Sequence, residues 1–568
     1  MKKITIIIFL FLSLTPVLGQ SLYNREWGAV KLIVGRVFEV KPSTEELFME
    51  NGYGGFSIYN NLNSTVSPFF GFPNTSPPSV KDAVRVENMK LDSGENLIVY
   101  GRTHNPDLAT AGTYSQTPIT TVFTGYSFIA KISRSGQLLW FTYFHDLAQN
   151  ASSLTIDKNN NIYVLSRRDK NDVLSANSFQ STGDLSSIIN YQEVISKLDT
   201  NGKHLWSTFY FKDDSKIRNI IAGDNGLYVY GDHMGGNGTS NYFGTAGSYQ
   251  EYSSGISSNG NSSTAFVTKF NFNGSRIWSS YFGEQISKCP INNSDFPYGM
   301  KIIGDNAYIL TELTNKSVPA TNVATSNAYL TTPTSNFKNT TLTKFTGNGQ
   351  LSFTTYLHNG NAIQKTSGND LFITGEIPNT NTNLNSLTTQ NAYQKQHGGK
   401  SDVYTYIISN NGSALKYGSF YGYDGTDLGI AVTTTNGYYV FGKSLGNSSA
   451  TTLFDTTGGK FNGSNNIGYG GTFISYFTTK PLSDDAFKKL NVSIYPNPTT
   501  DILNIQTEEN LPENTTAIVY DVTGKRVLNE PLQNSNLNNI NVSNLNSGVY
   551  ILQINGNRID QTFKFIKN

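Results

Sequence analysis

Cysteine is almost absent from this chain: Cys289 is the single one in 568 residues. A lone cysteine closes no internal disulfide, so the fold must be held by packing. Its own reading is a small buried apolar residue, ahead of a reactive thiol. Charge is sparse too. Asp, Glu, Lys and Arg make up 15% of the chain, below the usual quarter. With 42 basic and 41 acidic residues, no broad field exists to draw in nucleic acid or anionic lipid. Long apolar runs are missing as well. The clearest, Ile4 to Leu14, is 11 residues, against about 20 for a membrane-crossing helix. What is abundant is aromatic and small: 33 Tyr, 34 Phe and 52 Gly, among many Asn, Ser and Thr. That much ring area excludes a disordered chain.

The N-terminus has the parts of a cleavable export signal. Lys2 and Lys3 precede the Ile4–Leu14 run, Pro16 breaks it, and Val17-Leu18-Gly19 offers modest side chains before the bond Gly19–Gln20. Residues 1–19 are therefore expected to leave. The mature chain then carries 40 basic and 41 acidic residues, a formal charge of −1.

A unit then recurs six times. One landmark is an apolar strand after a turn, as in Asn96-Leu97-Ile98-Val99-Tyr100-Gly101 and Gly226-Leu227-Tyr228-Val229-Tyr230-Gly231. Aligned on Ile98, Tyr163, Tyr228, Tyr308, Phe372 and Tyr439, the spacings are 65, 65, 80, 64 and 67 residues. The other landmark is strand, turn, strand: Lys197-Leu198, Asn201-Gly202, then Leu205-Trp206-Ser207-Thr208-Phe209-Tyr210. Asn-Gly predicts a type I′ hairpin, with positive φ at both residues. A connector such as Ala246-Gly247-Ser248-Tyr249-Gln250 lies between the two landmarks. With an earlier strand such as Leu154-Thr155-Ile156, each unit holds about four strands, the logic of a propeller blade. An open solenoid would have the same local strands but would leave sheet edges bare.

The order of turn, Tyr-Val strand, connector and Asn-Gly-x-x-x-Trp resembles the SBBP β-propeller repeat family over residues 80–477. The resemblance implies an all-β propeller, with six blades favoured. Residues 20–79, which contain Glu26-Trp27-Gly28, Tyr53-Gly54-Gly55-Phe56 and Phe69-Phe70-Gly71, could close the ring by lending strands to the last unit. If they form a degenerate blade, the count is seven.

After a polar linker at 478–489 the pattern changes. Residues 490–568 hold seven or so short strands, which suits a small β-sandwich. Three motifs stand in order: Tyr495-Pro496-Asn497-Pro498, then Asp521-Val522-Thr523-Gly524-Lys525, then Gly548-Val549-Tyr550. Together they resemble the type A C-terminal sorting domain of the type IX (Por) secretion system of Bacteroidetes. That resemblance implies export and passage across the outer membrane. The secretion machinery would then be a partner of the tail, and the destination would be the medium or the cell exterior.

Chemistry is hard to find. There is no His-Glu-x-x-His, nucleophile elbow, phosphate loop or dinucleotide fingerprint. His104, His145, His204, His233, His358 and His397 stand isolated in sequence. The neighbours Asp213-Asp214 and Asp484-Asp485 would point to opposite faces of an extended chain. No catalytic, cofactor-binding or metal-binding residue is assigned. Trp140, Trp206 and Trp278 keep matched register and so read as packing residues. Tyr242, Phe243, Tyr252, Phe296 and Tyr298 are the better ligand candidates. The expectation is a monomeric secreted or surface scaffold that binds glycan or protein and is not an enzyme. The alternative is a polysaccharide lyase or hydrolase, whose acids, or His and Arg, would gather at one end of the central channel.

Overall fold

In a computed structural model, residues 38–478 and 491–568 are described, apart from internal stretches of which the longest are 72–83, 254–262, 289–298, 314–322 and 445–470. The chain divides into two compact units, Met1–Phe477 and Thr478–Asn568.

The first unit is a β-propeller. Its sheets are antiparallel meanders in chain order, spanning 38–71, 85–143, 154–209, 215–282, 287–357, 362–421 and 427–478. Sheet four shows the plan, with strands Ser215–Ala222, Leu227–His233, Thr264–Phe270 and Arg276–Phe282. All seven residues of its second strand and all seven of its third are buried. Such a strand reads as a continuous apolar run and not as an alternation, because both faces are covered. The first strand of each sheet adjoins the first strand of the next, from sheet one through sheet seven, except that in sheet five the adjoining strand is the second, Met300–Ile303. The circle then closes: the Thr435 amide and hydroxyl, in sheet seven, both donate to the Pro42 carbonyl of sheet one, at 3.1 and 2.8 Å. Closure excludes the open solenoid.

Among the described residues of the first unit there are thus seven sheets. Within the N-terminal segment, residues 38–71 form a four-stranded sheet of their own. Among the described residues, sheet seven has the strands Asp427–Thr433, Gly437–Ser444 and Gly471–Thr478. Glu26-Trp27-Gly28, the Gly19–Gln20 bond and Cys289 lie outside the described residues.

The hairpins differ from the expected type. Gly202, Gly274, Gly349 and Gly412 have φ of 77°, 87°, 83° and 74°, but the asparagines before them do not have positive φ. Pairing slips by one residue beside each turn, at Lys197/Leu198, Lys269/Phe270, Lys344/Phe345 and Ile407/Ile408. This is a type I turn closed by a glycine bulge. The residue two before each asparagine is the cause. Asp199 Oδ1 accepts from the amides of Asn201 and Lys203 (2.8 and 2.9 Å), and Asn271 Oδ1 does the same for Asn273 and Ser275 (both 3.0 Å).

The connectors also have a structural task. Each folds back along its sheet's outer strand. Thr245 N donates to Ser279 O and Tyr281 N to Gln250 O, both at 2.9 Å. Thr325 with Thr354 and Tyr356 with Leu330 repeat this pairing in sheet five, and Thr389 with Gly418 and Phe420 with Gln394 in sheet six. An edge that would otherwise template aggregation is covered.

Candidate functional site

The tail packs a three-stranded sheet (Val492–Tyr495, Ile502–Thr507, Leu537–Asn541) with a four-stranded one (Arg526–Pro531, Thr516–Asp521, Gly548–Gly556, Ile559–Lys567). Leu503, Ile505, Val519, Ile540, Leu552, Ile554 and Phe565 fill its core. The three motifs meet at one end of the larger sheet. Asp521 pairs with Tyr550, and Tyr550 pairs with Phe565, across adjacent strands.

Each motif residue has a definable part. The Tyr495–Pro496 and Asn497–Pro498 bonds are cis. Asn497 lies beside the final strand as a surrogate partner. Its Oδ1 accepts from Ile566 N at 2.9 Å, and its Nδ2 donates to Lys564 O at 3.2 Å. Thr499 continues the pairing, donating to Ile566 O and accepting from Asn568 N at 2.9 Å each. Asp521 organises the turn: its Oδ1 accepts from the Thr523 hydroxyl (2.6 Å) and from the amides of Thr523 and Lys525 (2.9 and 3.1 Å). Those bonds, led by the hydroxyl, hold its carboxyl below the usual range. Gly524 occupies φ +83° in that turn, a conformation most residues avoid. Gly548 opens a strand. Tyr550 is buried, stacks on Phe565 at 5.6 Å and donates to Asn546 O. Val522, Lys525, Tyr495 and Ile566 remain exposed around this end.

Residues 493–568 match the family described as secretion system C-terminal sorting domain. The tail is a sorting domain. No curated protein matches the chain. Among solved structures, quinohemoprotein alcohol dehydrogenase from Comamonas testosteroni is 10% identical, over 80% of this chain and 68% of that one, with a TM-score of 0.34. Quinohemoprotein alcohol dehydrogenase ADHIIG from Pseudomonas putida HK5 is 9% identical, over 80% and 68%, with a TM-score of 0.33. A subtype N10 neuraminidase-like protein of a little yellow-shouldered bat influenza A strain is 8% identical, over 63% and 90%, with a TM-score of 0.29. Scores this low carry no argument. The sorting domain therefore fixes the coarse destination, export from the cell, while the propeller's geometry must speak for itself. No helix among the described residues is long and apolar enough to cross a membrane.

In the propeller the three tryptophans join neighbouring sheets. The indole N–H groups of Trp140, Trp206 and Trp278 donate to the turn carbonyls of Thr200, Phe272 and Gly347 in the next sheet, at 3.0, 3.1 and 2.9 Å. Lys131, Lys197 and Lys269 reach the same turns, at Thr200 Oγ1, Phe272 O and Gly347 O. The indole rings lie flat on the bulge glycines. A methyl on Gly349 would approach Trp278 to 2.7 Å, and one on Gly202 would approach Trp140 to 3.0 Å.

Two of the loop aromatics singled out as ligand candidates are packed inside. Phe243 is fully buried and stacks on Phe266 at 3.9 Å. The Tyr242 hydroxyl bonds to Gln180 Oε1 while its ring lies against Tyr210. Covering an outer strand placed both rings in the core. Tyr252 is exposed, and Phe296 and Tyr298 lie outside the described residues.

The histidines are less isolated than the sequence suggested. His145 Nε2 lies 2.9 Å from the Tyr114 hydroxyl, and the His204 ring centre is 5.0 Å from the Tyr114 ring. His204 Nε2 in turn bonds Ser207 Oγ at 2.7 Å. Burial and the Arg168 guanidinium push His145 down to about 4, and the same two causes lower His204. Tyr329 and His358 repeat the pair at 3.5 Å, with burial pushing His358 to about 4. Between sheets four and five the equivalent position is Gly283. There a hollow lined by Tyr249, Thr311 and Thr343 has room for about one water. Only repeat alignment, placing Tyr114 beside Tyr329 and His145 beside His358, could have signalled this pairing.

Proposed function

We propose that this is a secreted or cell-surface propeller, carried out by type IX secretion through its tail, that works as a binding scaffold for glycan or protein. The observation that carries the export half is the convergence of the three tail motifs on one sheet end within the matched sorting domain. Deleting 490–568 should retain the protein in the periplasm; unaltered secretion would refute the route. The binding half rests on the sheet-three connector. It exposes Val173 (75%), Leu185 (60%), Ile188 (89%) and Tyr191 (58%) on one loop folded on itself through Lys170 N to Asn190 O. Grouped apolar exposure of this kind marks interaction surfaces. A V173S/I188S variant should keep its circular dichroism but lose capture of whichever glycan or protein an array identifies for the parent. Equal capture by both would sink this reading.

The enzymatic reading keeps one observation in its favour. Tyr114, His145 and His204 form a group beside Arg168 in which burial favours neutral imidazoles, residue types able to exchange a proton with a substrate. It sits at outer strands, away from the first strands that line the ring. Unsaturated product absorbance from acidic polysaccharides, lost in H145N, would establish it.

A further inference from the structure

The strands that line the ring carry charge at one level. The six landmark residues Ile98, Tyr163, Tyr228, Tyr308, Phe372 and Tyr439 pair with Lys90, Thr155, Ile221, Lys301, Gln364 and Val432 on the lining strands of sheets two to seven. Equal register in repeated sheets sets those six at equal height around the ring. Sheet one enters this level through Glu39, whose Oε2 accepts from Lys90 Nζ at 2.6 Å. In a closed ring of seven sheets, sheet five stands three sheets from sheet one and three from sheet two. Lys301 therefore faces the Lys90–Glu39 pair from the opposite wall.

The charge of Lys301 is poorly answered. Its Nζ reaches Gln364 Oε1 of sheet six at 3.5 Å, a long contact, and it forms no ion pair among the described residues. Lys365, the residue after Gln364, is exposed and also forms none among them. Burial and then the Lys90 charge push the Lys301 ammonium below its usual range, Glu39 opposes them, and Lys365 adds to the push. All four groups thus act on one space. Three ammonium groups against one carboxylate leave an excess of two positive charges, and like charges held close repel.

We propose that this level of the ring binds a doubly charged phosphate group between Lys301 and Lys90. Lysine serves phosphate as a point charge, and two negative charges match the excess. Gln364 adds a neutral donor: its Oε1 is taken by Lys301, which leaves Nε2 to donate to a phosphate oxygen. Elsewhere on the level Thr155 Oγ1 already accepts from Ala222 N at 3.0 Å, and Ile221 and Val432 carry no charge, so the anion is drawn to the lysine side. The chemistry is the same for a free ion and for the ester group of a phosphorylated sugar. The inference stands apart from the export and loop-binding readings.

The test uses the whole chain at about pH 8, where a phosphate group carries close to two charges, with ionic strength held constant by sodium chloride. Calorimetric titration with sodium phosphate should show one site with a Kd of about 0.1–1 mM. Glucose 6-phosphate in its place identifies the source: equal or tighter binding marks an ester as the ligand, and binding at least about tenfold weaker marks the free ion. K301Q should weaken phosphate binding at least about tenfold. E39Q removes the opposing charge and should tighten binding about threefold or more, a gain that misfolding cannot produce. Absence of heat in the parent protein up to about 10 mM phosphate, tenfold above that range, would overturn the proposal. So would K301Q binding as well as the parent, or E39Q binding no tighter than it.

Discussion

The seams between the propeller's sheets are built in two ways. From sheet two to sheet five, each seam is an indole laid on a glycine, with an indole N–H and a lysine both reaching one turn. Between sheets one and two, Phe48 and Phe56 join the apolar cluster of sheet two, and three ion pairs cross beside them: Lys90 with Glu39 at 2.6 Å, Lys41 with Glu95 at 2.6 Å, and Arg134 with Glu46 at 2.7 Å. An indole contact excludes water and is indifferent to salt, whereas partly exposed ion pairs are weak and screened. Repetition thus supplies strong identical joints in the middle, and the ends rely on local solutions. Sheet five already departs, with Phe353 on Gly412 and no indole.

Breaking a middle seam should cost most. W278A removes a 94%-buried ring together with its hydrogen bond, and should destabilise the propeller by about 3–5 kcal/mol in denaturant unfolding. Acid comes next. His145 and His358 are held down to about 4, below the about 6.5 of an unfolded histidine. The unfolded chain therefore binds more protons between those values. Stability is intact above about pH 6.5 and falls as pH drops toward 4, by about 2–3 kcal/mol per histidine. H145N should remove part of that dependence in a pH series of melts. G349A forces a side chain into φ +83° against Trp278 and should cost about 1–2 kcal/mol. Asn497→Ala in the tail removes two bonds to the last strand, about 1–2 kcal/mol, and should speed hydrogen exchange at Ile566. The ionic seam is the weakest lever: K41A should cost less than about 1 kcal/mol. Molar salt should raise exchange in sheet one and leave sheets three and four unchanged, which would sharpen the contrast between the two kinds of seam.

Much of this was legible in the residues. The Asn-Gly, Trp and Tyr-Val landmarks located the strands of the repeated sheets, because a repeated unit must bury the same face each time. The register of Trp140, Trp206 and Trp278 announced packing, and the tail motifs announced a sorting domain. Less visible was sheet one, since Phe38–Gly71 carries none of the repeat's landmarks. The buried state of Phe243 was also hidden, because a loop's route along an outer strand leaves no periodicity. The His145–Tyr114–His204 group and the level shared by Lys90 and Lys301 join residues from different sheets, and sequence spacing says nothing of distances between sheets.

What the sequence determined by itself was local: strands, turns, a repeated blade and a tail with an address. Hydrogen-bonding need and side-chain alternation act over a few residues, so they are written in order along the chain. Tertiary structure alone decided the number of sheets, the partner each indole meets, and where buried charge collects. Those depend on ring closure, which brings Thr435 to Pro42 across 393 residues.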